Sequence, residues 1–108
     1  MSESEFLAQA EATLDAIEAA FDRLNNEDLL DVECSRSGNV LHIEFIDNGS
    51  KIIVNSQAPM QELWVAAKSG GFHYKRSGAQ WINTRDGSEL LSALSALASA
   101  QAGTKVTL

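Results

Sequence analysis

Between residues 4 and 24 the apolar side chains fall at Phe6, Ala10, Leu14, Ile17, Phe21 and Leu24, in steps of 4, 4, 3, 4 and 3. Those steps line one face of a 3.6-residue helix. Ser2, followed three residues later by Glu5, has capping-box spacing just upstream. The pattern predicts an amphipathic helix ending near Asn25-Asn26, where the periodicity stops and paired asparagines favour a turn. The period then falls to two. Residues 30–36, 40–46 and 51–55 read as strands of an antiparallel meander, separated by Ser37-Gly38-Asn39 and Asp47-Asn48-Gly49. Residues 56–60, with the only proline at Pro59, form a bend; 62–68, 72–76 and 80–84 resume the strands, with turns at Gly70-Gly71 and Ser77-Gly78. Asp86-Gly87-Ser88 opens a second helix with Leu90, Leu91, Leu94, Leu97 and Ala98 on one face, Gly103 ends it, and residues 104–108 are a short tail.

One helix, about six strands and one helix define an α+β chain. Its simplest packing is a two-layer α-β sandwich, an antiparallel sheet with the N- and C-terminal helices on one face and solvent on the other. At 108 residues the whole chain, 1–108, is expected to be a single domain, and 44% hydrophobic residues suffice for its core. The longest apolar run, residues 63–67, is far short of the ~20 residues that cross a bilayer, so no membrane role is expected.

Charge sharpens this picture. Residues 1–33 hold ten acids against Arg23 alone, a balance of −9, whereas residues 34–108 hold five acids and seven bases, +2. The first third of the chain is therefore an anionic surface, unsuited to nucleic acid and suited to cations and basic protein surfaces. The single cysteine, Cys34, and an acidic N-terminus without signal-peptide character point to a reducing compartment, the cytoplasm.

The acids of the first helix, Glu11, Asp15, Glu18 and Asp22, are spaced 4, 3 and 4 and form a stripe about 100° from the apolar one. Like charges at these spacings cost a few tenths of a kcal/mol each, and Asp22 sits at the unfavourable end of the helix dipole. The stripe leads into Glu27, Asp28, Asp31 and Glu33, the last two sharing one face of the first strand. Clustered carboxylates without His or Cys suit hard, oxygen-loving cations held weakly in overlapping sites. A merely solvated helix face is the plain alternative.

Alternation places Trp64 with Ala66 and Lys68, opposite Leu63, Val65 and Ala67. Lys68 on the same face favours an exposed tryptophan, an interaction anchor, over a core one. His42 and His73 lack ligand spacing, Cys34 has no neighbouring base, and Gly70-Gly71 lacks the remainder of a phosphate loop. No catalytic residues can be assembled from spacing, and no enzyme is expected.

An acidic first helix, the stretch from Gly49-Ser50-Lys51-Ile52-Ile53-Val54-Asn55 to Ser56-Gln57-Ala58-Pro59, then Leu63-Trp64, Gly70-Gly71-Phe72-His73-Tyr74 and Trp81-Ile82, together resemble bacterial members of the frataxin family. The resemblance runs from about Glu5 to Gln101. It implies the same α-β sandwich and a non-enzymatic role in iron–sulfur cluster assembly, as an iron-binding protein and regulator of the cysteine desulfurase. It implies weak surface binding of Fe²⁺ or Fe³⁺, with no organic cofactor, at the positions Glu11, Asp15, Glu18, Asp22, Glu27, Asp28, Asp31 and Glu33. The same ridge would meet a basic surface of the desulfurase, and Asn55, Gln57 and Trp64 on the open sheet would face the desulfurase–scaffold complex. A monomer is expected, with an iron-dependent oligomer as the alternative. Two other functions stay open: a ferroxidase that stores iron in oligomers, and an acidic adaptor for which metal is incidental. The chain departs from close relatives in having Ala19, Asn25 and Asn26 where further acids are common.

Overall fold

The capping box forms as its spacing requires. In the computed structural model, which describes residues 1–108, the Ser2 hydroxyl accepts from the Glu5 amide at 3.2 Å and the Glu5 carboxylate accepts from the Ser2 amide at 3.3 Å. Helix α1 then runs over Glu3–Asn26 with all six stripe residues, Phe6 to Leu24, buried.

Six strands follow: β1 (Val32–Ser37), β2 (Val40–Phe45), β3 (Lys51–Gln57), β4 (Glu62–Ala67), β5 (Gly70–Ser77) and β6 (Gln80–Asn83), then helix α2 (Leu90–Ala102). Their spatial order is their chain order, and every neighbouring pair is antiparallel. The alternate residues Val32, Leu41, Ile43, Phe45, Ile52, Val54, Leu63, Val65, Tyr74 and Trp81 are buried beneath the two helices. They join Leu90, Leu94 and Ala98 of α2 in one core. Trp81 fixes α1 to the sheet: its indole N–H donates to the Thr13 hydroxyl at 2.8 Å and its ring meets Phe6 edge-on at 5.9 Å. At the far end of α2, the buried Gln101 accepts from the Lys68 amide at 3.0 Å and donates to the Ser50 hydroxyl at 3.0 Å, while its carbonyl accepts from Asn48 at 2.7 Å. One residue thus ties the helix to the β2–β3 and β4–β5 turns.

The structure corrects the sequence reading at several points. Strand β3 continues to Gln57, and the bend is a 3₁₀ turn at Ala58–Met60. The β4–β5 turn is Lys68-Ser69, and the two glycines open β5. Gly70 has φ 144°, a conformation side chains oppose, so the glycine serves the exit from the turn. Asp86-Gly87-Ser88 folds on itself, Ser88 donating to the Asp86 carboxylate at 2.6 Å, and Glu89 caps α2. Leu91 faces outward, 42% exposed, because the buried stripe runs through Leu90, Leu94, Ala98 and Gln101 and Leu91 lies about 100° round the helix from Leu90. The tail is not loose: the Val106 amide donates to the Ser99 hydroxyl at 2.8 Å, the Leu108 amide to that of Ser95 at 3.0 Å, and Val106 is buried.

Candidate functional site: an acidic ridge beside an open sheet face

The 4, 3, 4 spacing brings Glu11, Asp15, Glu18 and Asp22 into one row along α1, with Glu18 partly buried and the others exposed. Sequence reasoning missed the cation that meets them. Arg36 of β1 points to the helix side of the sheet, its side chain only 19% exposed. Its guanidinium donates to Asp15 Oδ1 at 2.8 Å and lies 3.8 Å from Glu18, while its Nε donates to the Gly38 carbonyl at 2.8 Å. Glu27 pairs with Arg23 one helical turn back, at 3.1 Å. Of the eight predicted acids, Glu11, Asp22, Asp28, Asp31 and Glu33 therefore have no basic partner within salt-bridge distance. No three of these acids gather closely enough to close round one ion.

The ridge does not extend evenly onto β1. Asp31 lies just before the strand and, with Asp28, Asp47 and Asn48, lines a shallow hollow. Asp47 is a further acid beside that hollow which sequence spacing did not associate with the helix. Glu33 lies between the buried Val32 and the half-buried Cys34, so it faces the open side of the sheet, opposite Glu44 in register. Cys34 faces α1. Burial pushes its thiol up to about 12, and the nearby Asp22 and Glu18 carboxylates add to the shift, so it is no nucleophile at neutral pH.

The open face carries the second set. Asn55 of β3 sits opposite Trp64 of β4, Gln57 opposite Glu62, and Trp64 opposite His73 of β5. The Gln57 amide donates to Asn55 Oδ1 at 2.7 Å. Trp64 is half-buried, its ring stacked on His73 with centroids 4.5 Å apart and 10° between planes. Its indole N–H donates to Glu62 Oε1 at 2.8 Å. Glu62, with a side chain only 7% exposed, also lies 3.4 Å from His73 Nδ1 and 3.9 Å from Lys75 Nζ. The sequence reading omitted Glu62, His73 and Lys75 from this surface. The available signal was register: Glu62 is two residues from Trp64, on the same strand face.

A two-layer sandwich, with an acidic row on its first helix beside an open antiparallel face bearing a tryptophan, defines a small α+β domain of the frataxin-like class. The sequence profile of the frataxin-like domain matches residues 1–104, and the chain belongs to the frataxin family. It is 73% identical over 108 residues to the iron–sulfur cluster assembly protein CyaY of Janthinobacterium sp. (strain Marseille), covering 100% of this chain and 96% of that one. It is 71% identical, with the same coverage, to that of Herminiimonas arsenicoxydans. Among solved structures, the CyaY-family frataxin of Psychromonas ingrahamii superposes with a TM-score of 0.81 at 33% identity, covering 99% of this chain and 97% of that one. Trimeric frataxin of Saccharomyces cerevisiae, complexed with ferrous iron, shares the fold with a TM-score of 0.74 at 21% identity, over 89% and 87% of the two chains.

Proposed function

We propose that this protein is a non-enzymatic, iron-binding regulator of iron–sulfur cluster assembly in the cytoplasm. It docks on the cysteine desulfurase through the acidic ridge and on the desulfurase–scaffold complex through Asn55, Gln57 and Trp64. The observation that carries this reading is the segregation of charge: ten of fifteen acids lie in the first 33 residues, which fold into one helix and the start of an edge strand. Exposed carboxylates that do not converge hold Fe²⁺ or Fe³⁺ weakly, through a few oxygen ligands with water completing the shell. The same row attracts a basic protein surface over about a Debye length, so docking weakens as salt rises. The yeast protein's complex with ferrous iron makes iron the first cation to test.

The test is a titration of isotopically labelled protein with purified cysteine desulfurase, without iron, followed through backbone amide signals. Changes confined to residues 11–33 and the sheet around Trp64 support the reading. Unchanged affinity after combined Asp15→Lys, Glu18→Lys and Asp22→Lys substitution, at low salt, would sink the docking claim. Iron oxidation faster than the buffer control would instead favour a ferroxidase. Equal binding of Fe²⁺ and Mg²⁺ at matched ionic strength would favour an adaptor for which metal is incidental.

A further inference from the structure

Glu62 is a carboxylate with 7% side-chain exposure on the face of the sheet that meets solvent. Carboxylates are rarely this buried, and burial is costly unless the oxygens are hydrogen-bonded or paired. Here both oxygens are occupied, Oε1 by the indole N–H of Trp64 with His73 Nδ1 close by, and Oε2 facing Lys75. Two constraints then act on one ring. The imidazole of His73 covers one face of the indole, and Glu62 takes its only hydrogen-bond donor. Trp64 is only half-buried, so what it still offers outward is ring surface and no hydrogen-bond donor.

We infer that Glu62 is a positioning residue that holds Trp64 in a single docking conformation, and that the partner recognises this tryptophan through its ring face and not through its N–H. The inference rests on the proposed docking role of the open face and adds the chemistry of the contact. The partner side chain that lies on Trp64 is apolar or a flat cation, because an acceptor aimed at the indole nitrogen has to displace Glu62. A ring fixed before contact does not lose rotamer freedom on binding, a saving that corresponds to about three- to tenfold in affinity for one large side chain.

The experiment pairs two readouts on the full chain. In the free protein, hydrogen exchange of the Trp64 indole N–H is measured by NMR, its signal separated from that of Trp81 by comparison with Trp64→Phe. In the complex, affinity for the purified desulfurase–scaffold assembly is measured for Glu62→Ala, Glu62→Gln, Trp64→Phe, Trp64→Ala and the Glu62→Ala/Trp64→Phe double variant. Glu62→Ala is expected to speed indole exchange and weaken binding about three- to tenfold. Glu62→Gln, which keeps an acceptor oxygen, restores both to near the parent values. In the Trp64→Phe background Glu62→Ala costs nothing further, because no N–H remains to hold. An equal loss in both backgrounds overturns the inference, since Glu62 then acts on the partner directly. So does fast indole exchange in Glu62→Ala with affinity unchanged. If Trp64→Ala leaves binding intact, the docking role of this face fails and the inference fails with it, a result distinct from the other two.

Discussion

Replacing Arg36 by glutamine removes the guanidinium that lies 2.8 Å from Asp15 and 3.8 Å from Glu18, and moves stability and cation binding in opposite directions. Asp15 is 65% exposed, so the pair is largely screened, and its loss costs about 0.5–1 kcal/mol. The bond from Arg36 to the Gly38 carbonyl adds little, because water replaces it at an exposed loop. For a domain near 100 residues, that cost lowers the melting temperature by about 2–6 °C. The same substitution leaves the middle of the ridge one unit more negative and frees Asp15 and Glu18 to face an external ion. Affinity for Fe²⁺, held anaerobically, or for Co²⁺ as a redox-stable stand-in, should rise about two- to fivefold, the factor set by the pair that no longer competes. Calorimetric melting and isothermal titration at low salt read the two effects, and both shrink as salt is raised. A lower melting temperature with unchanged cation affinity refutes the reasoning, because Arg36 and the external cation would then not share carboxylates.

Asp22→Lys should raise stability by about 0.5–1 kcal/mol, since it relieves repulsion with Glu18 one turn earlier and places a cation at the favourable end of α1; a higher melting temperature with weaker desulfurase docking is the expected pair of results. Cys34 gives stability a pH dependence on the alkaline side. Its thiol keeps its proton in the folded state up to about 12, while the unfolded chain loses it near the ordinary value of 9.0. The stabilisation is thus complete below about pH 9 and fades as pH rises toward 12. Tyr74, raised chiefly by burial, acts in the same direction, so urea midpoints from pH 8 upward should fall less steeply in Cys34→Ala without becoming flat. Gln101→Ala leaves the Lys68 amide without its acceptor and should lower stability by about 1–3 kcal/mol, read as a shift in urea midpoint at constant slope.

The elements that were legible in the sequence are those governed by one period. Phe6 to Leu24 repeat at helical spacing and are all buried, and the meander follows because short turns can join only antiparallel neighbours. The departures share a different physics. Arg36 meets Asp15 across 21 residues of chain, a contact that exists only once α1 has docked on β1. Glu62 sits at a position that alternation assigns to the open face, as it does Trp64, and it is buried because neighbouring side chains fold over it rather than by the core. Gly70 resembles a turn residue because turns and turn exits both call for positive φ. Within the ridge, spacing placed the four helical acids correctly, yet it was silent on which of them a base neutralises. Glu33 turned to the other side of the sheet because β1 begins at the buried Val32.

Strand β1 pairs with β2 on one side and with no strand on the other. The Asn25 side chain bonds the Val32 main chain at the start of that edge; beyond it the outer main-chain groups have no strand partner and can template a second sheet, the hazard that every open edge presents. The acids beside it and on α1 above it oppose that event, because two copies approaching edge to edge bring two strongly anionic segments together. The row of carboxylates is thus a guard against self-assembly besides its proposed binding role, and whatever neutralises it, bound cations or acid, lowers the guard. Self-association of this protein should accordingly follow the charge state of the ridge.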